Sequence, residues 1–279
     1  MYLTLHQRTR SLASLAAAAF LLAGCAPDST APLPDERPSL VTYGTPSGTA
    51  HPEVVLILME ANGVPNSRCS GTLISPTIVL TAGHCTGEPG EFSGMRIYTE
   101  SNVQTGDNSY PFAGNNSVEA TAWHTHPEYT SAAFYLHDVG VIELASPVIL
   151  PAGSYGVLPG VNVLDALRRG SRTTFTAVGY GLQRINPVFI ESRRIRMQAE
   201  PHLIQINTGF TGPQSLLLSN NASTGGTCFG DSGGPNYIGT SNVVGGVTSF
   251  GINGNCAGTG GVFRMDRADV LAFVQPFLD

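Results

Sequence analysis

The chain contains no lysine; all 14 of its basic residues are arginine. A Ser–Lys dyad, a Schiff-base enzyme and a P-loop NTPase each need a specific lysine, so those mechanisms are excluded. Charge of any sign is sparse, at 12% of 279 residues, with a net charge of −6 and no basic run. A nucleic-acid partner is rejected on that ground. The five cysteines include no C-x-x-C pair, which argues against a thiolate metal centre. Finally, no histidine follows His202, an absence that decides the order of the chemical groups below.

What the chain does have is turn formers and short apolar runs. Its 33 glycines and 19 prolines imply many turns rather than long helices. Runs at residues 54–59, 77–81, 139–144, 174–178 and 243–248 are rich in Val, Ile and Thr and are bounded by turn signals. They read as strands of an all-β protein with enough length for a sizeable core. The last segment differs. Val270, Leu271, Val274 and Phe277 fall at helical spacing within residues 267–278, with Asp266 as the expected N-cap.

Residues 1–25 form a targeting segment, in which Arg8 and Arg10 precede an apolar run, residues 12–23, too short to span a bilayer comfortably. It ends Leu22-Ala23-Gly24-Cys25, which resembles the lipobox of bacterial lipoproteins. Cys25 would then carry lipid, the only expected link to a membrane, and the chain would be exported, either anchored in the envelope or secreted. Residues 26–39, rich in Pro and polar residues, read as a tether or propeptide. Four cysteines remain, and an even number in an oxidising compartment reads as two disulfides with three possible connectivities. The expected pairs are Cys69 with Cys85 and Cys228 with Cys256, each closing a short loop beside a motif that carries chemistry.

The first such motif is Gly230-Asp231-Ser232-Gly233-Gly234-Pro235. Glycines around a serine permit positive φ and close approach to the main chain, so the Gly230 and Ser232 amides could converge as an oxyanion hole. Ser232 also fits the G-x-S-x-G elbow of α/β-hydrolases, but that order needs a later histidine. A subtilisin-type order needs an aspartate before the histidine, and only Asp28 and Asp35 in the tether precede His84. The order His, Asp, Ser remains. It is filled by His84 in Thr81-Ala82-Gly83-His84-Cys85 and by Asp138, which opens the apolar run His137-Asp138-Val139-Gly140.

These segments, with Cys69-Ser70-Gly71-Thr72, Val178-Gly179-Tyr180-Gly181, Thr248-Ser249-Phe250-Gly251 and Gly261-Val262-Phe263, resemble the successive signatures of the trypsin/chymotrypsin family. The resemblance covers residues 40–279. It implies two six-stranded antiparallel β-barrels, dividing near residues 152–172, with a C-terminal α-helix and an active site in the cleft between them. It further implies a monomeric serine endopeptidase acting on proteins or peptides through an acyl-enzyme, with His84, Asp138 and Ser232 as its triad and no cofactor or metal. A non-catalytic binding protein on the same fold, or an esterase with the same triad, are the competing readings.

The resemblance places the pocket floor six residues before the nucleophile, at Gly226, where trypsin-like members carry aspartate. Thr227, Ser249, Phe250, Gly251 and Gly260 or Gly261 would form the walls, suiting apolar or aromatic side chains. It also implies that a new N-terminal ammonium pairs with Asp231. The aligned start is Leu40-Val41-Thr42-Tyr43, preceded by Ser39, with Arg37 blocked by Pro38. Two routes stay open: cleavage after Ser39, freeing Leu40 and cutting the tether, or activity without cleavage, with another partner for Asp231. His124-Thr125-His126 could be metal ligands, but no third ligand is evident, and His137 reads as a structural neighbour of Asp138. Glu88, Glu91, Glu100 and Asp107 show no calcium-ligand spacing.

Overall fold

A computed structural model describes residues 42–186, 189–208 and 212–278. The leader, Cys25, the tether and Leu40 lie outside the described residues. The N-terminal barrel is built from β2 (Val54–Ala61), β3 (Val64–Leu73), β4 (Ile78–Thr81), β5 (Gly94–Tyr98), β6 (Ser117–Thr125) and β7 (Gly140–Leu144), after the short β1 (Thr45–Pro46). It closes in the order β2-β3-β4-β7-β6-β5. Residues 54–59, all apolar, are all buried, because the barrel interior takes one face and packed structure covers the other. A single helical turn, α1 (Gly83–Thr86), follows β4.

The second half contains β8 (Gly170–Gly179), β9 (Arg184–Asn186), β10 (Phe189–Glu191), β11 (Met197–Ala199), β12 (His202–Thr208), β13 (Gly212–Asn220), β14 (Pro235–Ile238), β15 (Val244–Gly251) and β16 (Gly258–Arg264). Six of these run in the order β8-β12-β13-β16-β15-β14, and β14 pairs back with β8 to close a second antiparallel barrel. β11 and β1 extend the sheet from β8, while β9 and β10 form a separate hairpin. The main apolar core runs from Val54 and Leu80 in the first barrel to Tyr180, Tyr237 and Phe263 in the second. A smaller core of Phe175, Leu203, Leu216 and Val262 fills the second barrel.

The C-terminal helix α2 (Ala268–Val274) buries Val270 and Val274, as the helical spacing requires, and continues into a 3-10 turn at Pro276. Its N-cap is Arg267, not Asp266. Asp266 is fully buried and spent elsewhere: its oxygens accept from Arg264 Nε at 2.9 Å, Arg264 Nη2 at 2.8 Å and the Leu164 amide at 2.8 Å. A charge-paired carboxylate in the interior gains more from a guanidinium than from a helix terminus. Among the described residues no helix is long and apolar enough to cross a membrane.

Candidate active site

His84 and Asp138 come from the first barrel. His84 sits on α1, where Cys85 is disulfide-bonded to Cys69 of β3. Gly83 lets this turn lie close to its neighbours, since a Cβ there would stand 3.1 Å from both the Val139 amide nitrogen and the Tyr129 ring. Asp138 is fully buried just before β7. Its Oδ2 lies 2.9 Å and its Oδ1 3.1 Å from His84 Nδ1, and Oδ1 also accepts the His84 amide at 2.9 Å. The imidazole thus carries its Nδ1 proton toward the carboxylate. Burial alone would depress the His84 pKa, but the Asp138 charge and hydrogen bond outweigh it and hold it above the ordinary histidine value.

A third donor reaches Asp138 from the second barrel. Ser249 Oγ donates to Asp138 Oδ2 at 2.5 Å. Thr248 faces Val262 and Phe250 faces Gly261, so Ser249 is the extra residue of a β-bulge in β15. Bulges re-aim side chains beside functional sites. Sequence reasoning gave Ser249 to a pocket wall only; the hydroxyl beside an aromatic was the available signal, but not its direction.

Ser232 sits in a turn held by backbone contacts. Gly230 and Gly233 have φ of 95° and 77°, and Gly233 is packed so tightly that a Cβ would fall on Thr81 Oγ1 and Ser70 O. The Asp231, Gly233 and Gly234 amides bond Cys228 O, Thr248 O and Asp231 O. Those of Gly230 and Ser232 have no acceptor among the described residues. Two free amides, that of the serine and that of the residue two before it, are suited to a developing oxyanion. Ser70, which the motif reading passed over, braces the turn. Its amide donates to Ser232 O, its Oγ donates to Gly230 O, and that Oγ accepts the Tyr180 amide.

His84 and Ser232 line one cavity of about 580 Å³ with Thr227, Ser249, Phe250, Gly251, Phe134, Phe229, Ile252 and the Cys228–Cys256 disulfide. Phe134 meets Phe250 edge-on, centroids 6.0 Å apart. Gly226 is not part of this lining; a Cβ there would fall on the Asn220 side chain, whose Oδ1 accepts from Thr42 Oγ1 at 2.7 Å. Gly261 lies directly under the Phe250 ring. Asp231 is fully buried and accepts the Gly181 amide at 2.7 Å and the Cys228 amide at 2.8 Å. Burial pushes its pKa up to about 6 despite those bonds and the nearby Arg68 charge.

The remaining sequence candidates are placed apart. His124 of β6 pairs with Glu143 at 2.7 Å, while His126, just past the strand, stacks on His137, so the two histidines do not share a ligand. Glu100 Oε1 accepts from the Asp107 amide and Asn116 Nδ2, and Glu91 accepts the Glu88 amide, so these carboxylates serve their own loops. Cys69, His84 and Cys85 lie close together, but both sulfurs are in a disulfide and bind no metal.

Two antiparallel barrels with an Asp-bound histidine and a glycine-flanked serine in one cavity define the serine-protease class with trypsin-like architecture. The Trypsin family profile matches residues 45–268, and the chain belongs to that family. It is 33% identical over 195 residues to brachyurin of Leptuca pugilator, covering 67% of this chain and 77% of that protein. It is 25% identical over 198 residues to human cathepsin G, covering 66% and 68%. A solved structure titled HL collagenase superposes with a TM-score of 0.65 at 20% identity, covering 84% of this chain and 97% of that one.

Proposed function

We propose that the chain is an exported serine endopeptidase that cleaves peptide bonds through an acyl-enzyme on Ser232. The observation that carries this reading is the His84–Asp138 pair sharing a cavity with Ser232 and the free Gly230 and Ser232 amides. With Nδ1 engaged by Asp138, Nε2 is the nitrogen left for Ser232. Ser232 Oγ attacks the carbonyl carbon as His84 takes its proton, and the two amides hold the resulting oxyanion. His84 then gives that proton to the leaving amine, and the C–N bond breaks to leave the acyl-enzyme. Water repeats the sequence, releasing the acid and restoring Ser232. Asp138 keeps the tautomer and supports the imidazolium.

The cavity suits an apolar or aromatic side chain at the cleaved bond. Phe250, Phe229, Ile252 and Phe134 line it, no carboxylate lines it among the described residues, and Asn220 fills the space a side chain at Gly226 would need. Two hydrogen bonds from backbone amides and the nearby Arg68 charge support a route in which Asp231 is held without Leu40, and Cys25 would tether the uncleaved enzyme. Turnover of peptides with an internal Phe, Leu or Arg before the scissile bond by the parent and Ser232→Ala tests both the mechanism and the specificity. Hydrolysis after Phe or Leu, abolished in the variant, is expected. Hydrolysis that survives in the variant overturns the mechanism, and a preference for Arg overturns the specificity.

A further inference from the structure

A second group of chemically capable side chains lies outside the catalytic cavity, where the end of β6, the following loop and α2 meet. His126 is buried at the end of β6, stacked on His137 with ring centroids 4.8 Å apart and an interplanar angle of 13°. One ligand atom each from His126, Glu128 and His137 lies within 4.8 Å of the others. Asp269, in the first turn of α2, places Oδ2 3.5 Å from His137 Nε2, and Glu128 Oε2 stands 3.4 Å from the same nitrogen.

Two imidazoles and two carboxylates are a donor set for zinc-class divalent ions. Metal–ligand bonds of about 2.0–2.2 Å in a tetrahedron place neighbouring donor atoms roughly 3.3–3.6 Å apart. The His137–Glu128 and His137–Asp269 distances already match that edge. His126 is the ligand that closes in. Its Nδ1 accepts the Glu128 amide at 3.2 Å, a bond that ligation through this nitrogen would replace. Gln214 Nε2 lies 3.0 Å from His137 Nε2, and Gln214 Oε1 is buried without a donor among the described residues. Turning that amide over would present an oxygen to the same point. Glu128 and Asp269 are exposed, which leaves an entry path.

We propose that His126, Glu128, His137 and Asp269 bind one zinc-class divalent transition-metal ion. The ion joins the two ends of the β6–β7 connection to α2, segments that no disulfide joins. It also fixes the ring of the residue directly preceding Asp138.

The test is a titration of the EDTA-stripped full chain with Co²⁺, read by the visible bands of the bound ion, followed by displacement with Zn²⁺. Removing a group that only orients a ligand costs on the order of 10–100-fold in metal affinity, so losing a ligand costs at least that. The parent is expected to bind one ion. His126→Gln is expected to abolish binding or weaken it by that factor, and the exposed Asp269→Asn to weaken it while leaving the fold intact. His84→Ala and His124→Gln are expected to bind like the parent. Absence of saturable binding in the parent overturns the proposal. So does unchanged binding in both His126→Gln and Asp269→Asn, or loss of binding in His84→Ala, which would place the ion at the catalytic histidine.

Discussion

The two barrels hold their share of the cavity by different means. The first offers His84 and Asp138 at the ends of buried strands, fixed by side-chain packing and by the Cys69–Cys85 disulfide. The second offers Ser232 from a turn with little side-chain packing of its own, fixed by backbone hydrogen bonds and by glycines pressed against Thr81, Ser70 and Asp231. A side chain set by packing tolerates small volume changes nearby. A turn set by close backbone approach does not, because one added carbon has nowhere to go.

The largest effect that breaks this comparison is chemical rather than structural. Ser232→Ala and His84→Ala are each expected to lower kcat by on the order of 10⁶ without altering the fold, because the triad acts as a unit. Peptide hydrolysis kinetics together with far-UV circular dichroism check this. Next comes Gly233→Ala against Ile57→Val. The first forces a Cβ onto Thr81 and Ser70 at a φ of 77° and is expected to cost about 3 kcal/mol or more together with most activity. The second removes one buried methylene and is expected to cost about 1 kcal/mol with kcat unchanged. Urea unfolding and peptide turnover of both variants make the contrast, and equal costs would contradict it.

Smaller effects sharpen the link across the cleft. Ser249→Ala removes a hydrogen bond to a buried carboxylate, worth about 1.5–3 kcal/mol, and is expected to lower kcat by roughly 10–100-fold. Since catalysis needs the neutral imidazole, kcat/KM is expected to fall on the acid side with an inflection above 6.5, and Ser249→Ala to shift that inflection. Asp231 gives the subtlest test. Its folded pKa of about 6 exceeds the ordinary carboxylate value of about 3.9, so its contribution to stability is full below about pH 4 and is lost as pH rises through 6. Asp231→Asn is expected to flatten that part of the pH–stability curve. In protein trimmed to begin at Leu40, an ammonium on Asp231 would lower the carboxyl pKa and flatten it as well.

Much of this was legible in sequence because it is local. Short Val-, Ile- and Thr-rich runs located β2, β4, β7, β8 and β15, and the two disulfides formed between the expected cysteines. Chain order selected the arrangement His, Asp, Ser, since no histidine follows His202, and local motifs proposed His84, Asp138 and Ser232 to fill it. What escaped depends on residues far apart in the chain. Ser249 meets Asp138 across 111 positions through a bulge that no local pattern announces. Asn220 stands behind Gly226 because β13 returns beside the N-terminal segment carrying Thr42. Asp266 had the right spacing for a cap, but the strand that brings Arg264 beside it decided otherwise.

The central claim is that His84 activates Ser232. Intact-mass analysis of the chain lacking residues 1–25, treated with a fluorophosphonate, tests it most directly when the parent is run beside His84→Ala and Ser232→Ala. A single adduct is expected on the parent, mapped to the Ser232 peptide, and none on either variant. An adduct on another residue, or unchanged labelling in His84→Ala, would contradict it.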